Sequence, residues 1–436
     1  MKDGLHGPDR GEAPAAVGLP LPGRTAAAPR PASGEAPFAL DEIFYSRTDP
    51  RGVIRSGNDV FQRVAEYPWD RLVGAPHKVV RHPDMPRGVF HLLWQTIGQG
   101  RPIGAYVKNR AADGLHYWVF AGITPIEGGF LSVRIKPSAP LFTTIQAEYA
   151  ALRAAEGDRE RAPEDSAADL LERLRALGFP SYEAFMARAL SDEIASRDAA
   201  LGRPRDEMLP SAWRIAEELS RIEAEIAALV DGFRTVRLMP TNMRIAASRL
   251  EPAGGPITAI SENYRLMAAE VTDSLAGFTR EGRPLAQVWR GMVEQAAFRH
   301  GLARLQEECV GQTEMTEGEI GGGAFDEAVE TGLLTRQMLD DRARAHQAIG
   351  EVIEAVGALP RLCSGLRRQI VGLDAVRRSC RVENSWLVGR GGGLASIIEK
   401  LDAFHGDTEG RLDRITEHAN EIGARLRTLR RRSDDG

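Results

Sequence analysis

PHKVVRHPDMP occupies residues 76–86, with Trp94, VKNR at 107–110 and HYWV at 116–119 close behind it. Four of the nine histidines, His77, His82, His91 and His116, fall inside this span. Imidazole, indole and cationic groups at such density between short apolar runs mark a candidate ligand pocket. Taken singly, each residue also has a plainer reading: Trp94 and Trp118 as core aromatics, and His77, His91 and His116 as exposed or hydrogen-bonded side chains.

Upstream of this stretch, Phe44–Thr48 reads as a strand that ends at Asp49-Pro50-Arg51-Gly52, a turn with Pro at its second position and Gly at its fourth. Val53 and Ile54 start a second strand, and Phe61, Val64 and Ala65 lie at helical spacing after Ser56, Gly57 and Asn58. Phe90, Leu93, Trp94 and Ile97 mark a longer amphipathic helix that Gly98 and Gly100 stop. Downstream, Ala105–Asn109, Tyr117–Ile123 and Phe130–Ile135 read as strands joined by hairpin signals, Ala-Asp-Gly at 112–114 and Glu-Gly-Gly at 127–129. The order β-β-α-α-β-β-β over residues 37–138 predicts a five-stranded antiparallel sheet with helices on one face, an α+β unit.

Residues 1–36 are rich in Pro, Ala and Gly without apolar periodicity and read as a disordered tail. Residues 139–205 read as a helical connector: a helix over Phe142–Ala155, the charged linker GDRERAPEDS, and two short helices near 167–177 and 182–200 that Gly202 ends. No function follows from its residues.

The rest is dominated by apolar positions spaced alternately four and three apart. Ile215, Leu219, Ile222, Ile226, Leu229, Phe233 and Val236 keep that rhythm, and Met243, Ala247 and Leu250 resume it past Pro240. Glu251-Pro-Ala-Gly-Gly-Pro256 cannot continue a helix, and Ile257, Ile260, Tyr264, Met267, Val271 and Phe278 restart the pattern on a return arm. These residues define a first helical hairpin, 206–310, followed by a loop, 311–323, that ends in Gly321-Gly322-Gly323. A second hairpin, 324–432, carries Ile349, Val352, Val356, Leu359, Cys363, Leu366, Ile370 and Leu373 outward, a tip with Gly389 and Gly391–Gly393, and Leu394, Ile398, Leu401, Leu412, Ile415, Ile422 and Leu426 on its return. Two hairpins in one chain predict an elongated antiparallel four-helix bundle.

With 436 residues, 43% hydrophobic and 27% charged, the chain is long enough for two or three cored domains. A net charge of −5 gives no general attraction to nucleic acid. Cys309, Cys363 and Cys380 have no ligand or disulfide spacing, the first residues carry no apolar signal core, and no apolar run reaches membrane-spanning length. A cytoplasmic location without membrane insertion is expected. There is no Walker loop, GxSxG, HExxH, kinase or cyclase signature, so the chain reads as a non-enzyme.

Together, RLVGAPHKVVRHPDMPRGVFHLLWQTIGQG at 71–100, VKNR and the HYWV that follows Gly114 resemble the PAS domain of bacterial aerotaxis and related chemotaxis receptors, over residues 41–138. In that family the pocket commonly holds FAD. The resemblance implies cofactor-binding roles for Asn58, Arg81, His82, Asp84, Trp94 and Asn109. Arg81 and His82 would meet the pyrophosphate or fix the pocket lip with Asp84 behind them, Trp94 would pack on the ring system, and the Asn109 amide would offer donor and acceptor to the isoalloxazine edge. An amide able to rotate can report whether flavin N5 accepts or donates a hydrogen bond. One departure bears on cofactor affinity: Ile103-Gly104-Ala105 stands where the family often has Trp-x-Gly. Haem, with one axial His, and an empty or small-molecule pocket are the alternatives.

Thr241–Glu251 is weakly similar to the signalling tip of methyl-accepting chemotaxis proteins, with Asn242 and Glu251 at the separation seen there. That similarity implies a chemotaxis histidine kinase or its coupling protein as partner. The expectation is a redox- or oxygen-linked PAS sensor joined to a helical relay, with a homodimer open; the rival is a scaffolding bundle whose PAS domain only docks a partner.

Overall fold

The computed structural model describes residues 30–157, 161–248, 255–314, 326–386 and 392–434. Five strands form one antiparallel sheet: β1 (Phe44–Thr48), β2 (Ile54–Gly57), β3 (Ile103–Arg110), β4 (His116–Ile126) and β5 (Gly129–Ile135), in the order β2-β1-β5-β4-β3. Helices α1 (Asp59–Ala65), α2 (Trp69–Leu72) and α3 (Arg87–Gly98), with a 3-10 turn at His77–Val80, lie between β2 and β3. The sequence reading lacks α2 and the 3-10 turn, both too short to show a period. Val53 bridges to Pro76 rather than joining β2.

Helix α3 of the 37–138 unit packs on one face of the sheet, as expected, and helices from beyond residue 138 cover the other face. Strand alternation separates the faces. Ser46, Ala121, Ile123, Ser132 and Arg134 point to the side that carries α3, and Tyr45, Tyr106, Phe120, Gly122 and Val133 to the other. That second face is covered by helices α4 (Pro140–Glu156), α6 (Tyr182–Ala200) and, from beyond, α10 (Leu285–Glu314). Phe142 and Tyr149 of α4 pack on Trp118, with ring centroids 5.3 and 6.4 Å apart. Helix α5 (Pro163–Ala176) returns to α3, where Gly88 N–H donates to Ser166 Oγ at 3.0 Å. The 139–205 segment therefore wraps the sheet domain. Residues 30–36, read from composition as tail, also lie on it: Arg30 pairs with Asp113 at 2.6 Å and Ala36 N–H donates to His116.

The remaining helices are α7 (Met208–Val236), α8 (Met239–Ser248), α9 (Gly255–Leu275), α11 (Glu327–Val356), α12 (Leu359–Trp386) and α13 (Gly392–Asp434). They form four long rods, α7–α8, α9–α10, α11–α12 and α13, packed antiparallel as expected. Glu225 meets Arg411 and Arg414 while Phe233 meets Phe404, so α7 and α13 run in opposite directions. Arg367 meets Asp413 while Arg377 meets Asp402, so α12 and α13 do too. Every residue of the first outgoing seam, Ile215 to Val236, is buried, and so is Cys363 in the second. The second rod is interrupted by a two-residue hairpin, β6 (Thr279–Arg280) and β7 (Arg283–Pro284), absent from the sequence reading. Leu250–Gly254, Gly321–Gly323, Gly389 and Gly391, which carry the expected bends, lie outside the described residues.

Helix α10 joins the two halves of the molecule. Gly104 and Gly122 are register partners on β3 and β4, and they take Phe298 and Leu302 of α10, one helical turn apart. A Cβ at Gly122 would overlap Leu302 Cδ2, so only glycine lets the helix approach this closely. Among the described residues no helix is long and apolar enough to cross a membrane.

Candidate functional site

Between α3 and its face of the sheet lies a cavity of about 390 Å³, within the range of small-molecule sites. Phe90, Leu93 and Ile97 of α3 and Val107, Ala121 and Ile123 of the sheet supply apolar walls. Trp94, 42% exposed, stands at the mouth, edge-on to Phe130 at 5.8 Å between centroids. The Asp49–Gly52 turn shapes this rim. Gly52 has φ +75°, and a Cβ there would lie 2.7 Å from Trp94 Cη2.

The polar groups form two tiers. At the mouth, Arg51, Lys78 and Arg81 are exposed, and none pairs with a carboxylate among the described residues. Arg81 instead lies over the Phe90 ring, 3.3 Å from its centroid, and its partial burial lowers its pKa. At the buried end sit Ser46, Ser132, Asn109, His77 and Arg134. Arg134 Nη2 donates to Ser46 Oγ at 2.6 Å and lies 2.8 Å from His77 Nε2. A guanidinium only donates, so His77 Nε2 must accept and the imidazole is neutral. Its pKa agrees in direction: burial first, then Arg134 and Arg81, push it down to about 3. Burial likewise lowers Arg134 to about 10, which leaves it cationic at neutral pH. Among the described residues, Arg134 Nη1 and Ser132 Oγ are buried without a hydrogen-bond partner and no protein group bonds the Asn109 carboxamide.

Of the six residues expected at the site, Arg81, Trp94 and Asn109 line the cavity. Asn58 does not. It caps α1, with Oδ1 accepting from Tyr45 and Phe61 N–H at 2.9 and 3.2 Å and Nδ2 donating to Ile43 O at 2.7 Å. His82 and Asp84 stand on the outer edge of β3. His82 Nδ1 accepts from Asp84 N–H at 3.1 Å, and Lys108 Nζ holds Asp84 at 2.6 Å and lowers its carboxyl pKa. These two fix the segment from which Arg81 bridges to Asn109. The sequence reading did not assign Arg134, Ser46, Ser132, Lys78 or Arg51 to the pocket. In the Ile103-Gly104-Ala105 departure noted above, Gly104 stands at the variable middle position and faces α10, whereas Ile103 and Ala105 share the strand face of the cavity residues Val107 and Asn109.

On the opposite face, β1 is clamped to α11. Tyr45 Oη donates to Glu330 Oε2 at 2.5 Å, and Arg47 forms a fork with the same carboxylate at 2.7–3.1 Å. Ser46, between them, faces the cavity and Arg134.

Residues 55–133 match the model of a PAS fold family. The aerotaxis receptor of Escherichia coli K12 is 39% identical over 123 residues, 27% of this chain and 24% of that protein. The nitrogen fixation regulatory protein of Klebsiella pneumoniae is 31% identical over 84 residues, 19% of this chain and 17% of that one. The chain thus matches a quarter or less of the length of these relatives. A PAS domain from Colwellia psychrerythraea overlaps 22% of this chain and 85% of its own at 20% identity, TM-score 0.19. The sheet domain of this chain is a PAS signal-sensing domain, similar to that of the aerotaxis receptor and followed by a mostly helical region.

Proposed function

We propose that this chain is a non-catalytic, cytoplasmic signal transducer whose PAS cavity holds a flavin, FAD, and whose helical rods pass the flavin's redox state to a protein partner. A bound flavin supplies reversible two-electron, one-proton chemistry. The residues fit such a group on three counts. Apolar walls suit a flat ring system, the unpartnered Asn109 amide suits its hydrogen-bonding edge, and Arg51, Lys78 and Arg81 at the mouth suit a diphosphate reaching outward. Trp94 shields the opening, while His82 and Asp84 hold the wall beside it.

The observation that carries the relay is the alternation along β1: Ser46 reaches the cavity while its neighbours Tyr45 and Arg47 grip Glu330 of α11. A shift of one strand on ligand reduction is felt on both faces, because a strand moves as a unit. The α11–α12 rod then carries the shift away from the sheet. Its partner, on the resemblance of the first hairpin, is a chemotaxis-type histidine kinase or coupling protein.

An absorption spectrum of the purified protein tests the ligand. Two flavin bands support the reading, a Soret band replaces flavin by haem, and a featureless visible spectrum sinks it. Hydrogen exchange in α11, compared between oxidised and reduced protein, tests the relay. Equal exchange would leave the bundle a scaffold.

A further inference from the structure

We infer that the ligand of this cavity brings a negative charge to its buried end and that Arg134 is the residue that receives it. The inference rests on the reading of the cavity as the ligand site, and it adds the charge of the ligand and the seat of that charge.

Arg134 is 5% exposed, and its two bonded neighbours, Ser46 and His77, are neutral. Among the described residues, none that lines the cavity is Asp or Glu. Other part-buried arginines of this protein are treated differently: Arg197 meets Glu308, Arg299 meets Asp341 and Arg47 meets Glu330. A buried cation without a counter-charge is costly, and the usual remedy is a paired carboxylate. Here the cation keeps Nη1 free, with the Ser132 hydroxyl also unpartnered at the buried end. Two orphan donors beside a cavity without acids form a receptor for an anionic oxygen or nitrogen. Three more cations at the mouth, Arg51, Lys78 and Arg81, have no carboxylate partner among the described residues and add to the same field.

For a flavin, the charge arrives with reduction. A reductant such as dithionite gives two electrons and water gives one proton. The ring gains N5–H, and the negative charge rests on its N1–C2=O edge. Arg134 then holds the reduced ring more tightly than the oxidised one.

The test uses the full chain, stripped of ligand, and its Arg134→Met variant. FAD is titrated into each in the oxidised and the dithionite-reduced state. The expected result is reduced FAD bound roughly tenfold or more tightly than oxidised by the parent protein, with the preference lost in R134M. The same ratio in both proteins overturns the inference. Failure of the parent protein to bind FAD in either state sinks the flavin reading alone. The charge seat is then decided by thermal melting without ligand. An unpaired ligand-seat cation makes R134M as stable as the parent or more so, whereas a lower melting temperature makes Arg134 a structural residue and overturns the inference.

Discussion

Tyr45 and Glu330, 285 positions apart, share a 2.5 Å hydrogen bond that ties the first strand of the PAS sheet to the start of the α11–α12 rod. Burial and the adjacent carboxylate raise the Tyr45 pKa, so its hydroxyl stays the donor. Glu330 is 1% exposed and also takes the Arg47 fork, whereas Arg47 keeps some contact with water. Removing the carboxylate takes the acceptor at 2.5 Å from a buried hydroxyl and half-strands a cation. Glu330→Ala is expected to cost about 3 kcal/mol and Tyr45→Phe about 1 kcal/mol, read from urea unfolding at neutral pH. An E330A midpoint equal to that of the parent protein would show that the clamp carries no energy.

His77 makes stability depend on pH with a definite sign. Its folded pKa, about 3, lies below the ordinary 6.5 because the ring is buried beside Arg134 and Arg81. The unfolded chain therefore takes the proton first. His77's contribution is complete above about pH 6.5 and is lost as pH falls from there toward 3. Carboxylates also titrate in this window, so the informative quantity is the difference between proteins. His77→Gln keeps an acceptor for Arg134 without a titrating ring, and it is expected to lose less stability between pH 7 and 5 than the parent. Parallel urea-midpoint curves for the two proteins over that range would refute the assignment.

Gly122 makes the docking of α10 a second test. Because a methyl group on its Cα would overlap Leu302 Cδ2, Gly122→Ala must push α10 away from the sheet or force Leu302 out of its rotamer. The expected cost is about 1–3 kcal/mol. Leu302→Ala makes a cavity alone, yet it should relieve the overlap when combined with G122A. A double-mutant cycle by chemical denaturation is expected to show favourable coupling. Strict additivity would mean that the two residues do not meet.

How far the sequence disclosed this molecule depended on whether one neighbour or several shaped each element. The strands were legible because turn residues bracket them, and the α7 and α12 seams because each rod buries one stripe. Helix α10 was not: Ala286, Trp289, Val293, Ala297, Phe298, Leu302 and Cys309 are buried around its circumference against α6, α7, α11 and the sheet, which erases the heptad rhythm. Arg134 was hidden for a subtler reason. In the β5 run Phe130-Leu-Ser-Val-Arg-Ile135, alternation makes Leu131, Val133 and Ile135 the core side and leaves Ser132 and Arg134 looking solvent-facing. That face turns inward to the cavity, a fact only the register reveals. Asn58 shows the converse. Its place before α1 suits an N-cap, and the capping bond is the one formed.

Trp94 and Gly52 together set the mouth of the cavity, and each predicts a separable effect. Trp94 is partly solvent-facing, so Trp94→Ala is expected to cost less than about 2 kcal/mol while it opens the rim and speeds ligand release. Gly52→Ala acts through the backbone as well. Its φ of +75° disfavours any side chain, and its methyl would meet the indole at 2.7 Å. It is expected to lower stability by about 1 kcal/mol or more and to shift tryptophan fluorescence as the ring moves. Combining W94A with G52A removes the overlap but not the strain, so the double variant should recover part of the G52A loss, and no more than part. Full recovery in thermal melts would mean that the indole contact alone dictates glycine at position 52, and no recovery that φ alone does.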